Sequence, residues 1–454
     1  METPVCDFVK RYAESNPVRL HMPGHKGKEY IGMEKYDITE IDGADVLYHA
    51  EGIIKESEEN ASELYGTGKT LYSAEGSSLS IRAMLYLALI WAKANGRSST
   101  STCTVLAGRN AHKTFMTASA LLGFDIEWLY SNDTDSGSLI SCEITAEQID
   151  EALTQMTSAP AAVYITSPDY LGNMADIREI SAVCRKRGVL LLVDNAHGAY
   201  LNFLPQSCHP ISLGADMCCD SAHKTLPVLT GGAYLHISKS APEILKEHAD
   251  NAMSVFASTS PSYLIIQSLD AANRYLTDGY RDNLARVIDE VSSLKEKLVK
   301  HGYKLAGDEP LKLTICPKSA GYTGVRLAEI LAGEGIVCEF ADPDFTVMMF
   351  TSEIESDEIN RLENALLSFE FREPILTNPP RTTRLRRAMT IREAMLSPSV
   401  ELPAEECEGK ILAAAGVSCP PAIPIVVCGE VIDNSAVECF RYYGIMRCRV
   451  VDAD

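Results

Sequence analysis

The stretch GVLLLVDNAH, residues 188–197, runs through Val189, Leu190, Leu191, Leu192 and Val193 and then stops at Asp194. An apolar run this short, opened by glycine and closed by a charge, reads as a strand buried on both faces rather than as a helix. The same reading extends to STCTVLAG (101–108), AAVYITSP (161–168), ADMCCDSAH (215–223) and GGAYLHIS (231–238), each bounded by turn residues. Helical periodicity fills several gaps between them, as in SSLSIRAMLYLALIWAKAN (77–95) and MADIREISAVCRKRG (174–188). Strand–helix alternation of this kind predicts an α/β domain whose mostly parallel sheet is covered on both faces. A long helical segment (261–300) leads out of it, residues 301–372 read as a smaller α+β unit, and REPILTNPPRTTR (372–384) marks a break before a final piece, 373–454. The expected organisation is therefore an N-terminal arm (1–60), a large domain (61–300), a small domain (301–372) and a C-terminal domain (373–454).

Bulk properties exclude several function classes. A chain of 454 residues exceeds one compact core. Its formal charge of −21 argues against nucleic acid or an anionic membrane surface as partner. No stretch approaches the ~20 apolar residues of a membrane helix, and the start, METPVCDFVKRYAESN, lacks the apolar core of an export signal. The 14 cysteines are scattered, several within apolar runs (Cys103, Cys218, Cys219, Cys316, Cys338), and none has zinc-site spacing. No metal is expected, and the expected setting is the cytoplasm.

Four features at one expected sheet edge carry chemistry. The turn EGSS (75–78) precedes a helix, so Ser77 and Ser78 either hold a phosphate on the unpaired N–H groups of the helix start or simply cap it. In GRNAHKT (108–114), His112 either stacks on a flat ring or caps the next helix. Asp194 ends a strand too apolar to tolerate a lone charge, so it needs a partner such as a pyridinium nitrogen or a structural arginine. Lys224, in DSAHKTLPVLT (220–230), follows at the end of the next strand. Phosphate cradle, ring stack, anion for a ring nitrogen and amine for an aldehyde are together what pyridoxal phosphate requires.

Further motifs make a family resemblance specific. HMPGHKG (21–27), YDITEIDGADVLYHAEGII (36–54), DNAHGAY, DSAHKTLPVLT, STSPSYLIIQSLDAA (258–272) and the tail SCPPAIPIVVCGE are together similar to the bacterial ornithine/lysine/arginine decarboxylase family. The chain resembles its short forms, many of them arginine decarboxylases. The resemblance implies an aminotransferase-like fold (fold type I), pyridoxal phosphate, and conversion of a basic amino acid, arginine to agmatine before lysine or ornithine, within polyamine metabolism. It also implies a homodimer, or an assembly of dimers, with shared active sites. Departures fall at Asp169, where the family often has threonine, at Gly231 in place of glutamine, and at Cys419, Ala422 and Cys428 in the tail.

The resemblance assigns roles. Lys224 holds the cofactor as an imine, Asp194 keeps the ring nitrogen protonated, and Lys224 or His223 returns a proton to the α-carbon. Ser221 joins Ser77 and Ser78 at the phosphate. Thr259 and Ser260 either reach the phosphate of a partner subunit or cap the following helix. His197 either touches the cofactor edge, supports Asp194 or packs behind it. His21 and His25 belong to an active-site-covering arm or to a structural loop. Glu430, and with it Asp169, is a candidate to receive the substrate's basic group. Arg381, Arg384, Arg386, Arg387 and Arg392 read as an ion-paired or solvated helix face. Other reactions of the same cofactor class (transamination, aldol cleavage, β-elimination) and a non-catalytic regulator are the alternatives. The regulator would not require Lys224, Asp194 and His112 together.

Overall fold

A computed structural model gives the fold and describes residues 1–97, 103–131, 143–380, 384–418 and 424–452. Arg381, Cys419 and Ala422 lie outside the described residues, as do the first two residues of the 101–108 run. Helices α1 (Pro4–Glu14) and α2 (Ile53–Tyr65) open the chain. The alternation then runs β1 (Lys69–Ser73), α3 (Ser77–Ala94), β2 (Thr104–Gly108), α4 (Lys113–Leu122), β3 (Asp125–Leu129), α5 (Ala146–Gln155), β4 (Ala162–Thr166), α6 (Ile177–Arg187), β5 (Leu190–Asp194), β6 (Met217–Asp220) and β7 (Ala233–Ile237). Among the described residues, no helix is long and apolar enough to cross a membrane.

The chain divides into two compact units, each discontinuous in sequence. The first comprises Met1–Ser101, Ser158–Ile165 and Ile177–Leu284; the second comprises Thr102–Thr157, Thr166–Asp176 and Ala285–Asp454.

In the first unit the strands lie in the order β1-β7-β6-β5-β4. β5 and β6 pair in parallel, and β7 is antiparallel to both β6 and β1, so β1, β5 and β6 share one direction. Every residue of β5, β6 and β7 is buried, which is why these runs are continuously apolar instead of alternating. Helix α3 packs on β6 and β7 with Leu79, Ile81, Met84, Leu85 and Leu87 buried; each such side chain contributes about 1.5–3 kcal/mol. Residues 1–60, expected as an arm, hold α1 and the first part of α2, and both helices pack on helix Tyr263–Thr277. The segment 261–300, expected to be helical, is two helices (Tyr263–Thr277 and Tyr280–His301) separated at Asp278 and Gly279, the latter at φ +76°.

In the second unit β2 and β3 pair in parallel through α4. Residues Lys304–Ala306 (β8), Lys312–Cys316 (β9), Phe340–Ala341 (β10) and Thr346–Met349 (β11) form an antiparallel sheet in the order β10-β11-β9-β8. The C-terminal part pairs Ser399–Pro403 with Arg447–Val451 around a core that includes Cys407, Leu412, Val426, Ile432 and Phe440. The arginine stretch is not the helix face expected: among its described residues only Arg392 is helical, in Ile391–Leu396.

Candidate active site

The expected phosphate turn is built by β1 and the start of α3. Gly76 adopts φ +70° at the helix N-cap position, a conformation glycine takes without steric cost. Its N–H donates to the Gly231 carbonyl at 2.7 Å, and the helix then begins at Ser77. Buried Ser221 donates from Oγ to Ser77 Oγ at 2.8 Å, so the 221–224 segment and the helix start meet. Gly231 itself sits at φ +100°, and a Cβ there would come within 3.1 Å of the Ala74 carbonyl oxygen. That backbone accounts for glycine at this departure from the family pattern.

Asp194 terminates β5 and is buried. Tyr164 donates its hydroxyl to Oδ2 at 3.0 Å, and the Ala196 N–H and the Cys219 thiol reach Oδ1 at 3.3 and 3.5 Å. None of these described partners is an arginine. Burial, with the Asp194 charge adding to it, pushes both the Tyr164 hydroxyl and the Cys219 thiol well above their ordinary pKa ranges. Both therefore stay protonated and serve Asp194 as donors.

Lys224 does not end a strand. It lies in the one-turn helix Ala222–Thr225 that follows β6. Its Nζ is 3.0 Å from Nε2 of His197, a residue of the turn that follows β5. Beside it, His223 directs Nδ1 to the Gly232 carbonyl at 2.9 Å, which requires the proton on that nitrogen. Burial lowers the His223 pKa and the Lys224 charge adds to this, against the opposing pull of the Gly232 hydrogen bond. The first unit thus gathers Ser77, Asp194, His197, Ser221, His223 and Lys224 on the turns after β1, β5 and β6, with Ser78 next to Ser77. This set offers an anion site at a helix N-terminus, a buried carboxylate and an amine.

The remaining sequence-derived residues have their own placements. Thr259 and Ser260 are exposed, and the capping position of the following helix belongs to Ser262; the Ser258 N–H just before them donates to Glu75 at 2.6 Å. His21 accepts or donates at 2.5 Å with the Tyr12 hydroxyl, and His25 lies 3.2 Å from Asp37. In the second unit, His112 caps α4, its Nδ1 accepting from the Thr114 N–H at 3.3 Å. Asp169 is buried and accepts from the Leu171 and Asn173 N–H groups and from the Asn173 amide, all within 2.9 Å. Glu430 already receives a guanidinium: Arg109 meets it through two hydrogen bonds of 2.8 and 2.7 Å, and the Val427 N–H adds a third. Arg109 also lies over Trp128 and Tyr130, 5.2 and 5.7 Å from the ring centroids. Of the arginine stretch, Arg387 pairs with Asp125 and Arg384 with Glu127, in keeping with an ion-paired surface.

Sequence reasoning missed Tyr164, Asn195, Asp220 and Arg109. Arg109 carried a signal, a charge directly after an apolar strand, whereas Tyr164 looks like any other strand aromatic. Asn195 and Asp220 stand beside the motif residues and were overshadowed by them.

The chain's similarities agree with this architecture. Residues 3–306 match the family model described as Orn/Lys/Arg decarboxylase, major domain. A Bacillus subtilis protein, YaaO, is 30% identical over 473 residues, covering 96% of this chain and 93% of its own length. The arginine decarboxylase of Halalkalibacterium halodurans is 29% identical over 476 residues, covering 97% and 93%. Among solved structures, the Francisella novicida lysine decarboxylase LdcF superposes with a TM-score of 0.80 at 17% identity, over 99% of this chain and 81% of that one. That likeness establishes the fold, an α/β architecture with a large, mostly parallel sheet.

Proposed function

The chain belongs to the Orn/Lys/Arg decarboxylase family, and from that premise we propose that it is a pyridoxal phosphate-dependent decarboxylase of a basic amino acid, arginine giving agmatine and CO₂. The observation that carries the reading is the Lys224–His197 contact, in the same unit as the Ser221–Ser77 contact and the buried Asp194.

The donor set fits the cofactor. The start of α3 supplies backbone N–H groups and a positive dipole end, with Ser77, Ser78 and Ser221 as hydroxyl donors for a phosphate. Asp194 would face the ring nitrogen, and Lys224 would carry the aldehyde. Bound there, pyridoxal phosphate supplies an electron-withdrawing ring that accepts the electron pair left on the α-carbon when CO₂ departs. The chain's own residues do the rest. Asp194, fixed by Tyr164 and the Ala196 N–H, holds a proton at the ring nitrogen. His197 fixes the Lys224 amine. The proton returned to the α-carbon is best assigned to Lys224, since the Nδ1 proton of His223 is committed to the Gly232 carbonyl.

Arginine is preferred on the names of relatives covering nearly the whole chain, two of them arginine decarboxylases at 29% identity. Lysine is the second reading, favoured by the lysine decarboxylases among the solved neighbours. The assembly proposed is a homodimer or a group of dimers with shared sites. Support comes from the exposed apolar side chains of Val18, Leu20, Met22, Tyr30 and Ile31 in one N-terminal segment, and from exposed Thr259 and Ser260. A cytoplasmic setting is supported by the described cysteines, all of them free thiols. The deciding experiment incubates the purified protein with arginine, lysine and ornithine separately and identifies the amine and CO₂. Agmatine is expected. Cadaverine or putrescine in its place would reassign the substrate, and a keto acid without CO₂ would overturn decarboxylation.

A further inference from the structure

Beneath the Lys224 turn lies a buried polar cluster that the proposed chemistry does not use. Asp220, the last residue of β6, is completely buried. Its Oδ2 lies 3.0 Å from Nε2 of His209 and 3.3 Å from Nε2 of His236, both also completely buried. Its Oδ1 accepts from the Asn195 side-chain Nδ2 at 2.7 Å. Burial opposes the charge, but the two histidines outweigh it and hold the Asp220 carboxyl well below the usual range.

His209, Cys218 and Asp220 place potential metal-ligand atoms within 4.8 Å of one another. Both Asp220 oxygens are already engaged, however, by His209 and Asn195, and burial pushes the Cys218 thiol well up, away from the thiolate a metal needs. The cluster reads instead as a mechanical tie. Asn195 is the residue after Asp194, and Asp220 precedes Ser221. The Asn195 N–H also donates to the Cys219 carbonyl at 3.0 Å, and its carbonyl accepts from the Gly198 N–H at 2.8 Å, closing the 195–198 turn. His197 lies within that turn and makes the 3.0 Å contact with Lys224. Space at the turn is equally constrained: a Cβ on Gly198 would lie 2.0 Å from Asn195 Oδ1. The Asn195 amide is thus wedged between Gly198 and Asp220, and its orientation is fixed because Asp220 accepts only from an N–H.

We propose that Asp220 is a positioning residue for Lys224: its carboxylate orients Asn195, Asn195 sets the 195–198 turn, and the turn places His197 against the lysine amine. The inference rests on the reading of Lys224 as the cofactor-bearing amine. A misplacement of about 1 Å in a catalytic group costs on the order of 100-fold in rate, so this path has room to matter.

The test uses the full-length protein freed of cofactor. Trace acetylation with labelled acetic anhydride across a pH series, quantified on the Lys224 peptide against exposed lysines, reports the amine's pKa and reactivity without any turnover. Asp220→Ala and Asn195→Ala are expected to shift the Lys224 profile, and in the loaded enzyme to lower kcat ~10–100-fold with KM little changed. Asp220→Asn is expected to retain most activity, since its amide oxygen still accepts from Asn195. Gly198→Ala is expected to resemble Asn195→Ala, by crowding the same amide. Asn195→Ala leaves the histidine pair untouched, so it decides the question should Asp220→Ala not fold. A lowered melting temperature with an unchanged Lys224 profile in Asn195→Ala and Gly198→Ala would overturn the proposal. Borohydride reduction of the loaded protein separately establishes which lysine carries the cofactor, so failure of that premise is distinguishable from failure of the positioning path.

Discussion

The amine of Lys224 and Nε2 of His197 lie 3.0 Å apart, although the residues are 27 positions apart in sequence. The turn after β5 and the helical turn after β6 are thereby brought to one point. Replacing Lys224 with Ala should abolish the visible absorbance of the loaded enzyme and reduce turnover by about three orders of magnitude or more. Borohydride should fix the cofactor to the Lys224 peptide of the unmodified protein. A label on a different lysine would refute the assignment.

Asp194 is held by Tyr164 at 3.0 Å and by the Ala196 N–H. Asp194→Ala should keep part of the cofactor, because the phosphate contacts and Lys224 remain, while turnover falls by about two orders of magnitude or more. Tyr164→Phe should give a smaller loss, consistent with one hydrogen bond to a charged group, about 1.5–3 kcal/mol. Cofactor titration alongside kcat separates the two. Near-normal turnover in Asp194→Ala would assign the ring nitrogen to another acid.

The Arg109–Glu430 fork is buried, with both carboxylate oxygens engaged. Removing one partner strands the other charge. Arg109→Ala should therefore destabilise the protein by about 3–5 kcal/mol, and Glu430→Gln should lower the melting temperature with KM for the amino acid nearly constant. Thermal melts paired with KM values test this. A large rise in KM without loss of stability would place Glu430 at the substrate.

Glu58 is buried in the first unit and accepts from the Tyr72 N–H at 2.8 Å. Burial pushes its carboxyl up to about 8 from 4.5, despite that hydrogen bond. A raised folded pKa means that the folded protein keeps a proton which the unfolded chain has lost above about 4.5. Stability is therefore full below that value and declines as pH rises toward about 8. Glu58→Gln keeps the acceptor and removes the titration. Its melting temperature should fall less than that of the unmodified protein between pH 5 and 8.5. Parallel curves would show that Glu58 is ionised in the fold.

Shared active sites predict complementation. An inactive Lys224→Ala protein, mixed with a Thr259→Ala/Ser260→Ala protein under conditions of confirmed subunit exchange, should regain up to about a quarter of normal activity, because one hybrid site receives both intact halves. No recovery after verified exchange would show that each site is complete within one subunit.

Much of this was legible in the sequence. The continuous apolar run Val189–Val193 ending in Asp194, opened by a glycine, reads as a strand buried on both faces, and the alternation of such runs with helical periods points to an α/β sheet. The order of the Ser77–Ser78 turn, His112, Asp194 and Lys224 pointed to the cofactor class, because loops after parallel strands emerge at one edge. The helix break at Asp278–Gly279 carried a local signal, an Asp-Gly pair that favours a turn. The short helix that holds Lys224 was not legible, because a single helical turn is decided by tertiary packing.

By itself, then, the sequence determined the fold class and the family motifs, since these follow from hydrophobic period and residue type along the chain. Which partner each charged group takes was decided only by the tertiary structure. Glu430 faces the chain's own Arg109, Asp194 takes a tyrosine hydroxyl in place of an arginine, and Asp220 draws two histidines and Asn195 around itself. A buried charge must be satisfied by whichever donors long-range packing brings within about 3 Å, and no one-dimensional pattern records that distance.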